Sequence, residues 1–495
     1  MIRFAWRRKV MHRNTFWVAL VLILSLLLSG CAKSTPEVVE RVVTATPEPA
    51  VRARSIILLI GDGMGINQVR ITDIYAGEAL GTETIFNSIA TRGTTTTYAA
   101  DSEVTDSAAA ASAIYCGYKF NSRSIGVLPD GRSAFTIAQA VKKAGKSVGA
   151  VSTTRITHAT PACLYAHTPD RDDENLIAEH LVEFEPEVAL GGGWRHLIPQ
   201  SQDGSEREDD RNLVEEMRGK GYTFVTNADE LEAVDAATTD RLLGLFSKSH
   251  MAYEVDRVNV PELGSQPSLA EMTEAALKIL AKNPEGFFLM VEGGRIDHAC
   301  HAHDARAAID DTLAFDKAIR VALDYQEAHP DVLVIVTGDH ETGGMGLGIG
   351  TEYFTDIPVL QSIKNSMEYL DGQIKENPAK AEELVEASFG FELTDEEKGM
   401  LFRYGPESGL DAVDDPYVQA TPGVSAYIFS WAHFVLSNVA SERARIGWTS
   451  YAHTAQPTIT YAVGPGEEMF SGFFDNTDIA RRMAELLDVT LEPPY

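Results

Sequence analysis

The chain has 495 residues, 44% of them hydrophobic, and carries 42 Lys+Arg against 72 Asp+Glu, a formal net charge of -30. The apolar content suffices to bury a core, and the length admits several domains or one long α/β unit. The charge excludes the basic footprint of a nucleic-acid binder and a polybasic membrane patch, while an acidic enzyme can still take an anion where metal ions reverse the local field.

The N-terminus reads as a targeting segment. A basic stretch with Arg3, Arg7, Arg8, Lys9 and Arg13 precedes an apolar run from Phe16 to Leu28, shorter than the roughly 20 residues of a transmembrane helix. Leu28-Ser29-Gly30-Cys31 resembles a bacterial lipobox. It implies removal of residues 1–30 and lipid attachment to Cys31, which would hold the protein on the outer face of a bacterial membrane. An uncleaved anchor, or an ordinary signal with a chance cysteine, is the alternative. Residues 31–53, with Pro36, Pro47 and Pro49, read as a tether, and 54–495 as one folded domain. No CxxC pair exists among Cys31, Cys116, Cys163 and Cys300, so neither a zinc ribbon nor a thioredoxin-like site is signalled. Cys116 and Cys163 are free to pair or not; an odd count after lipidation argues against a disulfide-dense scaffold.

From Arg54 the pattern alternates. Buried strands are expected at 55–61, 147–153, 287–293 and 332–339, and helices at 134–144, 269–282 and 305–325. The fold class is α/β, with a central, mostly parallel sheet flanked by helices on both faces. Two stretches, about 194–267 and 350–442, fit the alternation poorly and are expected to be peripheral insertions with solvated acidic faces.

Between the first two of these strands, TRGTTTTYAADSEV is strand-like and the following SAAAASA favours a helix. Ser107 falls at that boundary. Taken alone it reads as a helix N-cap; the less favoured alternative is a nucleophile meeting an anion in the positive field of the helix start. Three apolar runs then end in acids: Asp62 in GDGMG, Glu292 in VEGG, and Asp339-His340 in TGDHE. Open α/β sheets bind ligands at the carboxyl ends of their strands. A carboxylate buried there is unfavourable unless paired or bound to metal. Asp297 and His301, spaced i, i+4, share a helix face as metal ligands do, and mixed carboxylate and imidazole donors suit Zn²⁺. His303 could be solvated or support the site. His453, in a late loop, reads by itself as non-ligating. The surroundings of Ser107 lack both glycines of the GxSxG serine-hydrolase elbow.

The ordered set GDGMG, TDSAAAASA, HATP, VEGGRIDHACHAHD, TGDHETGG and AHT resembles the alkaline phosphatase family, from about Ser55 to His453. The resemblance implies metal-dependent hydrolysis of phosphate monoesters through a phosphoserine at Ser107. It implies one zinc on Asp297, His301 and His453, and a second on Asp62, Asp339 and His340 that Ser107 joins. A third site, expected to hold Mg²⁺, would use Asp62, Thr160 and Glu292. Arg171 would clamp the phosphate, and His158 and His298 would lie near the third site and the phosphate, leaving that metal's identity open. Small phosphate monoesters are the implied partners, and a homodimer the implied assembly. The rival enzyme reading is a related phosphodiesterase or sulfatase; a rival of another class is a lipid-anchored protein that captures phosphate or metal without turnover.

Overall fold

In the computed structural model, residues 51–403 and 430–495 are described; the signal segment, Cys31, nearly all of the tether and residues 404–429 of the second insertion lie outside the described residues.

Ten strands make the central sheet: β1 (Ser55–Gly61), β2 (Thr91–Thr96), β3 (Ser147–Arg155), β4 (Val188–Gly192), β5 (Thr223–Val225), β6 (Leu242–Leu245), β7 (Phe287–Gly293), β8 (Val332–Gly338), β9 (Thr458–Val463) and β10 (Gly472–Asp475), in the order β10-β2-β9-β8-β1-β7-β3-β4-β6-β5. Pairing is parallel throughout except for β9, which runs antiparallel to both β8 and β2. The expected mostly parallel sheet is therefore present.

Strand β1 shows why the fold has two cores. Its residues are fully buried, and alternate side chains enter opposite layers: Ile56, Leu58 and Ile60 one, Ile57 and Leu59 the other. The first layer is closed by helices α1 (Ser107–Cys116), α2 (Ile137–Lys143) and the C-terminal Thr477–Leu487. The second is closed by α3 (Leu269–Leu280) and α4 (Ala305–Ala328). Each fully buried Ile or Leu contributes about 1.5–3 kcal/mol, which is how the sheet can carry polar groups at its ends.

Two local expectations change, and the pairing left open for Cys116 and Cys163 is decided. Strand β2 stops at Thr96, so a ten-residue loop, not a direct strand-to-helix junction, leads to Ser107. The 194–267 stretch is only partly peripheral, because β5 and β6 extend the main sheet by two strands. Cys116, Cys163 and Cys300 are all buried free thiols; Cys163 Sγ instead contacts the Ala108 carbonyl at 3.4 Å and the Ser112 hydroxyl at 3.2 Å. Among the described residues no helix is long and apolar enough to cross a membrane.

The second insertion has its own small core around Leu370, Phe389 and Leu436. Its helix α5 (Met367–Glu376) is pinned to the main body by two buried carboxylates. Asp256 accepts from the Ser366 amide at 2.9 Å and its hydroxyl at 2.5 Å, and Asp304 accepts from the Met367 amide at 2.7 Å. Burial pushes Asp256 up to about 7 and Asp304 up to about 6. A carboxyl raised in the folded state favours folding below its unfolded value, near 4, and loses that advantage as pH rises through its folded value. Between pH 4 and pH 8, Asp256→Asn should therefore gain stability relative to the wild type by on the order of a few kcal/mol. Denaturant unfolding across that range measures it, and a pH-independent difference between the two proteins would contradict the assignment.

Candidate active site

Parallel register lines up three strand ends. Gly61 of β1 pairs with Gly293 of β7 on one side and Gly338 of β8 on the other. Asp62, Glu292 and Asp339 thus emerge side by side, each 0% exposed. The turn after β1 admits only glycine at position 63, where φ is +70° and a Cβ would lie 2.7 Å from Asp297 Cα. That close approach seats the helix Arg295–His301 against the strand ends. The Gly63 amide also donates to Asp339 Oδ1 at 3.2 Å.

The helical spacing of Asp297 and His301 brings His301 Nε2 to 3.4 Å from Asp297 Oδ1. His453 reaches the same place because its strand, His453–Thr454, pairs with Glu341–Thr342 just after His340. Its Nε2 lies 3.5 Å from Asp297 Oδ1 and 3.0 Å from His301 Nε2. Each of these two rings meets a backbone carbonyl with its other nitrogen: His301 Nδ1 the Tyr451 carbonyl at 2.6 Å, His453 Nδ1 the Thr105 carbonyl at 2.7 Å. Those carbonyls require an N–H at Nδ1 and so leave the Nε2 lone pair facing inward, as a metal ligand needs. Burial lowers His301 to about 4, which keeps it neutral.

Across from this pair, His340 Nε2 lies 3.3 Å from Asp62 Oδ1 and 3.4 Å from Asp339 Oδ2. Ser107 Oγ approaches the same nitrogen at 3.1 Å. Ser107 is the first residue of α1 and is not its cap: Asp106 is, accepting from the Ala109 amide at 3.0 Å. The N-cap expectation for Ser107 is corrected by one position, and the reason is functional geometry. A capping side chain folds back on its own helix, whereas the next residue points outward. Asp106 further accepts from the Arg123 amide at 3.0 Å and from Arg171 Nη1 at 3.0 Å. Arg171, predicted as the phosphate clamp, is thereby brought next to Ser107, with Nη2 3.1 Å from His158 Nε2.

Thr160, on the short helix Ala159–Ala162 that follows β3, is fully buried beside Glu292. Glu292 accepts from Thr154 at 3.1 Å and from the Ser152 hydroxyl. Even so, Asp62 Oδ1 and Oδ2, Glu292 Oε1, Asp339 Oδ2 and Thr160 Oγ1 are buried with no hydrogen-bond partner among the described residues. Burial, then the neighbouring carboxylates, pushes Asp62 and Asp339 well above the usual range, and burial lifts Glu292 to about 7. Orphaned anionic oxygens of this kind are tolerated where cations neutralise them. Ligand atoms of Asp297, His301 and His453, of Asp62, Asp297 and His340, and of Asp62, His158 and Glu292 lie within 4.8 Å of one another in each group. These donor sets fit metal ions. Asp297 also approaches the second group, which the sequence had not indicated.

His303 is neither solvated nor a ligand. Its ring lies 3.7 Å from Tyr451 and 4.8 Å from Trp448, stacked on both, and its Nε2 meets the Ser450 carbonyl at 2.9 Å, holding the loop that carries His453. Sequence reasoning missed Asp106, Thr342 (whose hydroxyl donates to Asp297 Oδ1 at 2.5 Å) and His250. The first could have been found from the cap rule three residues before an amide; nothing local marks the other two. A cleft of about 640 Å³ opens onto the site, lined among others by Asp106, His158, Arg171, His250, His301 and His453.

A serine at a helix start, an adjacent guanidinium and clustered carboxylate and imidazole donors at the ends of parallel strands define a metal-dependent hydrolase site. The sequence profile described as Alkaline phosphatase matches residues 53–489. Alkaline phosphatase 3 of Bacillus subtilis (strain 168) is 32% identical over 451 residues, covering 89% of this chain and 90% of the relative. An alkaline phosphatase of Schizosaccharomyces pombe is 33% identical over 465 residues, covering 89% of this chain and 82% of the relative. The crystal structure of Thermus thermophilus alkaline phosphatase superposes with a TM-score of 0.78 at 32% identity, covering 94% of this chain and 97% of that one. The cold-active enzyme of a psychrophilic Shewanella gives 0.73 at 28% identity, covering 88% and 99%. The chain belongs to the alkaline phosphatase family. It is a metal-dependent hydrolase of phosphate monoesters.

Asp106 joins the cap of α1 to the seat of Arg171. Asp106→Ala should lower stability by about 1 kcal/mol through the lost cap and lower kcat/KM by about tenfold or more through the loosened guanidinium. Thermal unfolding and steady-state kinetics separate the two effects; activity equal to the wild type would contradict the positioning role.

Proposed function

We propose that hydrolysis proceeds through a phosphoserine at Ser107. The observation that carries this reading is the 3.1 Å approach of Ser107 Oγ to His340 Nε2, in the midst of Asp62 and Asp339. Ser107 Oγ bonds to phosphorus as the ester oxygen departs with a proton as alcohol; water then breaks the Oγ–P bond and inorganic phosphate leaves. Arg171, backed by Asp106, holds two equatorial phosphoryl oxygens, and the α1 N-terminus adds its positive field. Asp297, His301 and His453 would hold one Zn²⁺, Asp62, Asp339 and His340 a second, and Asp62, Thr160 and Glu292 a Mg²⁺, with His158 and His298 beside the third site. These cations supply charge stabilisation for the attacking and leaving oxygens and an activated serine and water.

Residues 54–495 act as one catalytic domain, and the lipobox-like Leu28-Ser29-Gly30-Cys31 supports export with a lipid on Cys31. A homodimer rests on the family resemblance alone. Substrate choice is broad, because the assigned groups address phosphate and none recognises an alcohol.

Ser107→Ala should reduce hydrolysis of an aryl phosphate by at least about a thousandfold, and acid quenching of the wild type with labelled substrate should trap label on Ser107. Full activity in the variant would overturn the nucleophile. Chelation should abolish activity and Zn²⁺ with Mg²⁺ restore it, with metal analysis giving the ratio. Faster turnover of an aryl diester or sulfate than of the monoester would favour the related phosphodiesterase or sulfatase, and binding of phosphate without turnover a capture protein.

A further inference from the structure

Glu341, directly after His340, carries none of the roles above, yet it is fully buried. A buried carboxylate needs partners, and its partners come from several sides of the metal groups. Oε1 accepts from the Gln68 side-chain amide at 2.8 Å and from the Met345 amide at 3.2 Å. Oε2 accepts from the Gly344 amide at 3.2 Å and from the Thr454 hydroxyl. A carboxylate offers about four lone-pair directions, and these donors fill them. No oxygen is left over for a cation, and Glu341 is in none of the metal-ligand groups among the described residues.

The place of each donor in the chain gives the arrangement its meaning. Gln68 stands on the helix Ile66–Tyr75, which begins just after the Asp62 turn, and its Nε2 also donates to the Thr342 carbonyl at 2.8 Å. Gly65, at the head of that helix, lies so close to Glu341 that a Cβ there would meet Glu341 Cγ at 2.2 Å. Gly344 and Met345 come just after His340, and Thr454 follows His453. One side chain therefore joins the Asp62 turn, the His340 turn and the His453 strand.

Of these ligands His453 depends on that junction most. Asp62 and Asp339 follow fully buried central strands, and Asp297 and His301 share one buried helix. His453 stands on a two-residue strand paired with Glu341–Thr342, and so short a pairing is marginal by itself. The chain before His453 is held by the His303 stack and by the Gly343 amide donating to the Ala452 carbonyl at 3.0 Å. The chain after it is held by the Thr454 hydroxyl on Glu341. His453 Nε2 is thereby kept 3.5 Å from Asp297 Oδ1.

We infer that Glu341 is a positioning residue which, through Thr454, holds His453 within reach of Asp297 and His301 and so sets the affinity of that one metal position. The Asp62–Asp339–His340 position draws its rigidity from the central strands instead. This rests on the metal assignment in the proposed function. Partners behind a metal ligand are worth about 10–100-fold in metal affinity.

The test follows zinc release from the holoenzyme into a competing chelator, with His453→Ala marking which zinc belongs to the His453 position. Thr454→Val should lose that same zinc at a free zinc concentration about 10–100-fold higher than the wild type does, with the other zinc unchanged. Thr454→Ser keeps the hydroxyl and should match the wild type. In a Glu341→Gln background, Thr454→Val should add less than it does alone, because the two residues act through one contact. The comparison of Thr454→Val with Thr454→Ser stands even if Glu341→Gln fails to fold. Wild-type zinc affinity in Thr454→Val, or equal weakening of both zinc ions, overturns the positioning role, since a merely structural hydroxyl would shift the unfolding temperature without selecting one metal. Full additivity with Glu341→Gln overturns the part given to Glu341. A wild type that holds no zinc overturns the metal assignment and this inference together.

Discussion

Four carboxylates, Asp62, Glu292, Asp297 and Asp339, are buried within reach of one another, and several of their oxygens meet no hydrogen-bond donor among the described residues. Like charges in so small a volume repel strongly, and burial removes the water that would screen them. A chain folds this way only if apolar packing elsewhere is ample and cations settle the charge. The first condition is visible, and the donor sets present fit the second. The strands that present the acids are fully buried along their length, with helices on each face. His301 is held neutral by burial, and carbonyls behind His301 and His453 fix their lone pairs inward.

This charge problem also explains the company the site keeps. His453 arrives from a loop late in the chain, held there by pairing with Glu341–Thr342 and by His303 stacked on Tyr451 and Trp448. Helix α5 of the second insertion is fixed by Asp256 and Asp304, and its Glu368 pairs with Arg295 at 2.8 Å, which in turn meets His298. The insertion therefore touches the cleft through a polar relay, although its own core is separate.

The arginines divide the cleft into two kinds of surface. Near Asp62, nitrogens offer lone pairs and suit cations. Near His250, the guanidiniums of Arg155 and Arg295 face ring nitrogens of His250 and His298 and take up their lone pairs. The same residue type, histidine, serves opposite ends because its two nitrogens are set by their neighbours.

Strand positions, the parallel sheet and most of the site were legible in the sequence, because buried strands are continuous apolar runs and their acidic ends stand out against them. Asp62, Glu292 and Asp339 needed no structure to be noticed, nor did the i, i+4 pair Asp297 and His301, since local spacing alone places them. His453, Arg171 and Thr160 were assigned through family resemblance, not from any local pattern. Only the tertiary structure decided that Asp106 caps α1 so that Ser107 points outward, that β5 and β6 extend the sheet, and that His250 joins His158 and His298. Side-chain periodicity reports burial within one element; which nitrogen faces a lone pair and which a proton depends on groups brought together from distant segments, and that is settled only when the chain is folded.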